Sequence, residues 1–125
     1  MLGTTQAMPT VAVKDLDVAR KFYEEALDLK PTDTGEPEVL AYKAGNSTIL
    51  VYKSQYAGTN EATVVTWIVG DDLEGVMQAL KARGVAFERY DLPGTTRNGD
   101  VHLAGSTKAA WFKDPDGNIH SLVSQ

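Results

Sequence analysis

The sequence predicts an α+β fold made of two tandem modules, each a strand, a helix and three strands. Three observations carry this, of which the first two are that a strand leading through an acidic residue into an amphipathic helix occurs twice and that glycine-bearing turns close each half. The third is composition. At 125 residues, 42% hydrophobic and 23% charged, the chain has the apolar mass for one core and an ordinary share of charge. It reads as a single domain over 1–125, with module one at about 7–53 and module two at about 63–124.

Alternating small and branched residues over 8–13 predict the first strand. Asp15 follows as an N-cap, its carboxylate facing the free amides of the first helical turn. Leu16, Ala19, Phe22, Tyr23, Ala26 and Leu27 recur at helical spacing as one apolar stripe, and Lys30-Pro31 ends the predicted helix at about 16–29. On its exposed face Arg20 and Lys21 meet Glu24 and Glu25 at i,i+4. Extended segments are predicted at 39–42 and 47–52, joined by Ala44-Gly45-Asn46.

In the second half, residues 63–69 form a strand rich in β-branched side chains. Asp71 is the expected cap of the next helix, with Glu74 as its capping-box partner. Leu73, Val76, Met77 and Leu80 make the buried stripe, and Gly84 stops the helix. Strands follow at 85–90, 108–113 and 119–123, the last two joined by Asp114-Pro115-Asp116-Gly117-Asn118. Asp15 to Asn46 spans 31 positions and Asp71 to Asn118 spans 47, so the second half carries 16 extra residues. They are assigned to a loop at 91–106, punctuated by Pro93, Gly94, Gly99 and Gly105, which is expected to act as a lid.

Charge narrows the partners. A net −5 argues against nucleic acid, where phosphate contacts need a basic face, and accommodates a cationic ligand. No apolar run approaches the ~20 residues of a membrane helix. Residues 1–6 lack the basic start and apolar core of a signal peptide, and with no cysteine there is no disulfide frame or thiolate site. A cytoplasmic protein without membrane or nucleic-acid partners is the expectation.

The segments Val13-Lys14-Asp15-Leu16-Asp17 leading into Phe22-Tyr23, Val69-Gly70-Asp71 before the second helix, and Phe112-Lys113-Asp114-Pro115-Asp116-Gly117-Asn118 carry a resemblance in their order and duplication. Over about residues 8–123 the chain resembles the vicinal oxygen chelate superfamily, which includes glyoxalase I, extradiol dioxygenases, fosfomycin-resistance enzymes and bleomycin-resistance proteins. The resemblance implies βαβββ modules whose mixed sheet curls into a cup, with the helices on the outer face and the ligand inside. It further implies a homodimer whose chains complete two clefts at their interface.

Metal-using members take ligands from four strands. The spacing the resemblance implies puts these positions at Met8, Val64, Ser121 and either Ile49 or Leu50. None offers the imidazole or carboxylate a divalent ion wants. A shift of one residue brings in only His120, so neither metal nor other cofactor is expected. By period-two alternation His120 points away from the face of Ser121.

If Met8, Val64 and Ser121 face inward, then Thr10, Ala12, Thr66, Ile68, Ile119 and Val123 share their side, and Tyr52, Tyr90 and Trp111 join them in the matching register. This surface is apolar and aromatic with scattered hydroxyls, the makeup of a pocket for a small organic molecule. The candidate ligand-binding residues are Thr10, Tyr52, Thr66, Tyr90, His102, Trp111 and Ser121; His102 also reads as an exposed loop residue. Trp67 reads as a core or interface residue, and Tyr56 as a linker residue covering the core or a dimer seam. No nucleophile stands with a base, and the nearest carboxylates, Glu38, Glu88, Asp91 and Asp100, would need burial or a charged neighbour to act as acid or base. The reading is a metal-independent binding protein resembling bleomycin-resistance proteins, which sequesters a cationic or aromatic organic ligand such as an antibiotic or other secondary metabolite. The alternative is a glyoxalase-like lyase or isomerase.

Overall fold

Along β1 (Thr10–Val13), Val11 and Val13 are buried while Thr10 and Ala12 face the other way, and this alternation decides which side of the sheet meets the helices. The computed structural model describes residues 1–124. The first sheet has the order β1-β4-β3-β2, built from β2 (Lys30–Thr32), β3 (Val39–Ala44) and β4 (Ser47–Lys53), with β1 parallel to β4 and the rest antiparallel. The second repeats it: β5 (Thr63–Ile68) lies parallel to β10 (Ile119–Val123), which pairs antiparallel with β9 (Thr107–Lys113). Two short strands, β6 (Phe87–Glu88) and β8 (Val101–Ala104), share the far edge of β9, and β7 (Thr96–Asn98) pairs with β8.

The first helix departs from its predicted form. Asp15 caps it as expected, accepting from the amides of Asp17 at 2.8 Å and Val18 at 3.2 Å. Helix α1 (Leu16–Arg20) then widens into a π-helical turn over Lys21–Ala26 rather than running on to residue 29. Leu27 bonds back to the Phe22 carbonyl, Asp28 turns the chain at φ 57°, and Lys30-Pro31, expected only to stop the helix, opens β2. The helix serves two cores. Tyr23 packs with Val11, Val13, Tyr42, Ile49 and Val51, whereas Ala26 packs with Leu73, Met77, Leu80, Phe112 and Leu122. Phe22 and Leu27 touch both clusters. The predicted i,i+4 pairs do not form as drawn: Arg20 pairs with Asp17 at 3.0 Å, and Glu24 accepts from the Tyr42 hydroxyl at 2.9 Å.

Helix α2 (Leu73–Ala82) buries Leu73, Met77 and Leu80, with Val76 half-buried beside them. Its expected cap is corrected. Gly70–Asp72 is a 3-10 turn, Asp72 stands at the N-cap with no side-chain bond, and the Glu74 carboxylate instead takes Lys108 Nζ at 2.9 Å. That contact holds the Glu74 carboxyl below its usual range.

The expected lid is folded structure. Within 91–106, β7 and β8 form a hairpin whose two-residue loop, Gly99-Asp100, needs the positive φ that Gly99 adopts at 63°. The 85–90 strand shrinks to β6, and the extra residues interrupt the strand that would run unbroken from β6 to β8. Asp100 holds the hairpin to α2 and β6 through Lys81 at 3.0 Å and Arg89 at 2.8 Å, and these two bases keep its carboxyl below the usual range.

A polar chain fastens module to module. Asn118 Nδ2 donates to the Ala12 carbonyl at 2.7 Å and to Asp114 Oδ2 at 2.8 Å, while Tyr23 donates to the same Oδ2 at 2.7 Å. The linker at 54–62 buries Ala57, and at Gly58, φ 76°, a Cβ would run into the Asp116 carbonyl. Tyr56 stands exposed on this linker.

Candidate functional site

The helices cover one face of each sheet and leave an open face on the other. On the second sheet five of the seven predicted residues gather there. Thr66 Oγ1 and Ser121 Oγ lie 2.8 Å apart across the β5–β10 pair, and Ser121 is opposite Trp111 on β9. The Trp111 ring meets His102 edge-on at 4.7 Å and Tyr90 edge-on at 5.6 Å. Ile68 and Val123 are paired in register on the same side, with Ile68 71% exposed. Trp67 turns inward with Leu122 against the core, as predicted for it.

His102 requires a correction. It is not an exposed loop residue but sits on β8 at 2% exposure, its Nε2 accepting from the Tyr90 backbone amide at 2.9 Å. That bond ties the chain just after β6 to β8 across the inserted segment, supplying an acceptor that an unbroken strand ladder would have given. Val64 also differs from expectation, whereas Ile119 keeps the side of Ser121 in its pairing with β9. The register slips between Ile119 and His120, so Val64 bulges and packs toward the first core, while Ile119 is buried.

Thr10 and Tyr52 lie on the open face of the first sheet, next to Leu50 and Ala12 by register. Tyr52 is 39% exposed, and the Thr10 hydroxyl donates to the Met8 carbonyl at 3.2 Å. The seven residues therefore form two groups, one on each sheet.

The most elaborate polar construction lies inside the protein and was not among the predicted residues. Trp67 Nε1 donates to His120 Nδ1 at 3.0 Å, and His120 Nε2 lies 3.0 Å from the Tyr23 hydroxyl, which donates to Asp114. Since indole only donates, the His120 proton sits on Nε2 and runs to the Tyr23 oxygen. Burial, with the negative Asp114 beside it, pushes the Tyr23 phenol far above its ordinary range. Burial drives the His120 imidazole down to about 4. The signal was present: a Tyr in an apolar helical stripe and a His at a core position of a strand must both find partners.

The donor set on the open faces does not fit a divalent ion. The positions implied for ligands carry Met8, Val64, Ser121, Ile49 and Leu50, and the His120 nitrogens are both engaged in the core. Among the described residues no three His, Cys, Asp or Glu side chains stand together as a metal cluster. Glu88 faces Lys113 at 3.6 Å and Asp91 faces Arg97 at 3.6 Å, so neither carboxylate is a lone base in a dry pocket.

Two sheets of matching strand order, each with an open face, define a paired-module α+β fold. The chain belongs to the Glyoxalase/Bleomycin resistance protein/Dioxygenase superfamily, whose family model matches residues 5–121. The fold is shared with FosX, a genomically encoded fosfomycin resistance protein from Listeria monocytogenes, at 16% identity and a TM-score of 0.69, covering 98% of this chain and 91% of that one. An integron cassette protein from the mobile metagenome of the Halifax Harbour sewage outfall aligns at 15% identity and a TM-score of 0.71, covering 98% and 99%. A cassette protein from V. pseudocholerae aligns at 21% identity and a TM-score of 0.69, covering 96% and 93%. Among curated proteins none matches the sequence. No helix among the described residues is long and apolar enough to cross a membrane.

Proposed function

We propose that the chain is a metal-independent small-molecule binding protein that sequesters an organic ligand on its open face. The observation that carries this is the run Thr66–Ser121–Trp111–His102–Tyr90: two hydroxyls beside an aromatic cluster, with neither a metal donor set nor a nucleophile and base. Superfamily membership and structural neighbours named for fosfomycin resistance support an antibiotic or other secondary metabolite as the ligand class. Thr10 and Tyr52 complete the cleft in this reading, brought from the first sheet of a second copy in a cytoplasmic homodimer.

The test is a thermal-shift screen of polycyclic and cationic natural products with mass analysis of the recovered compound. A ligand at a hundred times its Kd adds ~2.7 kcal/mol. For a domain of this size, that raises Tm by on the order of 10 °C. The compound is expected back unchanged, and a chelator is expected to leave both Tm and binding as they were. A converted compound, or a Tm that falls on chelation, overturns sequestration in favour of a glyoxalase-like lyase or isomerase.

A further inference from the structure

Two polar atoms on the open face of the second sheet are buried without a hydrogen-bond partner: the Tyr90 hydroxyl and His102 Nδ1. Buried polar groups are nearly always paired, so each unpaired one calls for an explanation. Both are donors. The His102 Nε2 already accepts the Tyr90 amide, which leaves the ring proton on Nδ1. Burial, with Glu88 adding to it, raises the Tyr90 phenol, which keeps its proton. The two donors flank the same indole, since both rings stand edge-on to Trp111.

The surroundings say what kind of acceptor fits. Tyr90 borders an open groove of about 540 Å³ that Asp91, Leu92, Pro93, Thr95 and Arg97 also line, and that His102 and Trp111 do not reach. The Arg97 guanidinium is held only by a 3.6 Å contact to Asp91, whose side chain is almost wholly in solvent. Such a loose exposed pair is weak, so Arg97 is available to an incoming anion. The other ion pair nearby, Glu88 with Lys113, balances itself. Two unmet donors, an available guanidinium and an indole face together select an oxygen acceptor on a planar apolar body. The carboxylates nearby, Asp91 and Glu88, are each matched by a base, Arg97 and Lys113, so the hydrogen-bonding capacity left unmet here is that of donors.

We infer that Tyr90, His102 and Trp111, with Arg97 at the entrance, form a subsite for an aromatic carboxylate, seated with its oxygens toward the Tyr90 hydroxyl and His102 Nδ1–H. The inference rests on the open-face binding reading and names the group that enters there. It replaces a cationic ligand at this position with an anionic one. Both donors are covered in the ligand-free protein, so the side chains around them must shift for a ligand to enter.

The experiment uses the full-length protein and two probes of one shape, benzoate and benzylammonium, titrated against ¹⁵N-labelled wild type and Tyr90→Phe. Benzoate is expected to move the amides of 87–92 and 101–111, and Tyr90→Phe to weaken it about fivefold, the loss of one hydrogen bond. Ligand-free Tyr90→Phe is expected to melt no lower than wild type, because an unpaired hydroxyl contributes nothing to the fold. A clear drop in that Tm overturns the inference, since the hydroxyl would then be bonded within the protein. Equal binding of both probes, or benzylammonium alone moving these amides, overturns the subsite and leaves the open-face reading standing. Silence from both probes overturns the subsite, while the open-face reading stands or falls by the thermal-shift screen.

Discussion

Both ring nitrogens of His120 are occupied, Nδ1 by Trp67 and Nε2 by Tyr23, and burial lowers its pKa from 6.5 to about 4. Between these values the unfolded chain binds a proton that the folded one refuses. Stability is therefore full above about 6.5 and falls as the pH drops toward about 4, below which this contribution levels off. At ~1.4 kcal/mol per unit, the loss is ~3 kcal/mol. Urea melts from pH 7 to 4 should show that slope, and His120→Gln, less stable at neutral pH, should lack it. On the open face the indole is the decisive group: Trp111→Ala should weaken a bound ligand by roughly 1 kcal/mol, read by titration calorimetry. The direction of His120 could be read from period-two alternation, because its strand was read correctly. That of His102 could not, because the strand that buries it was taken for loop.

At the scale of elements, caps separate what was legible from what was not. Asp15→Ala should cost about 1 kcal/mol, since it removes the acceptor of two first-turn amides. Asp71→Ala should leave Tm within a degree or two, because α2 starts from Asp72 through a 3-10 turn and draws no side-chain cap. The two acidic residues look alike in sequence; what differs is the backbone at each, since Asp15 is extended while Asp71 follows Gly70, at φ 64°, inside a 3-10 turn. The strands with strong alternation, β1, β4, β5 and β9, were legible for the same reason that they form: one face is more buried than the other; β10, buried along Ile119–Leu122, was legible from the turn before it. The β7–β8 hairpin carried a usable signal in Gly99-Asp100, but the prolines and glycines around it outweighed three- and four-residue strands. The π-helical turn had no local mark. It follows from one helix having to face two cores, a demand that exists only in three dimensions.

For the whole molecule, the joint between modules is the sensitive place. Gly58→Ala should destabilise the fold by about 2 kcal/mol or more in a denaturant melt, because the added methyl meets the Asp116 carbonyl and the positive φ disfavours any side chain. Alanine at Gly45, where an added Cβ meets nothing, should cost only its backbone strain. The internal repeat made the pairing of two modules readable, but not which of them owns the first helix. Phe22, Ala26 and Leu27 belong by sequence to module one and pack on the strands and helix of module two. A chain severed in the linker at 54–62 would thus yield two pieces that each lack part of a core, one carrying a bare apolar ridge and the other the groove it fills. Such pieces should find each other and refold only as a pair, so a fusion of two proteins to the two halves would report on their encounter.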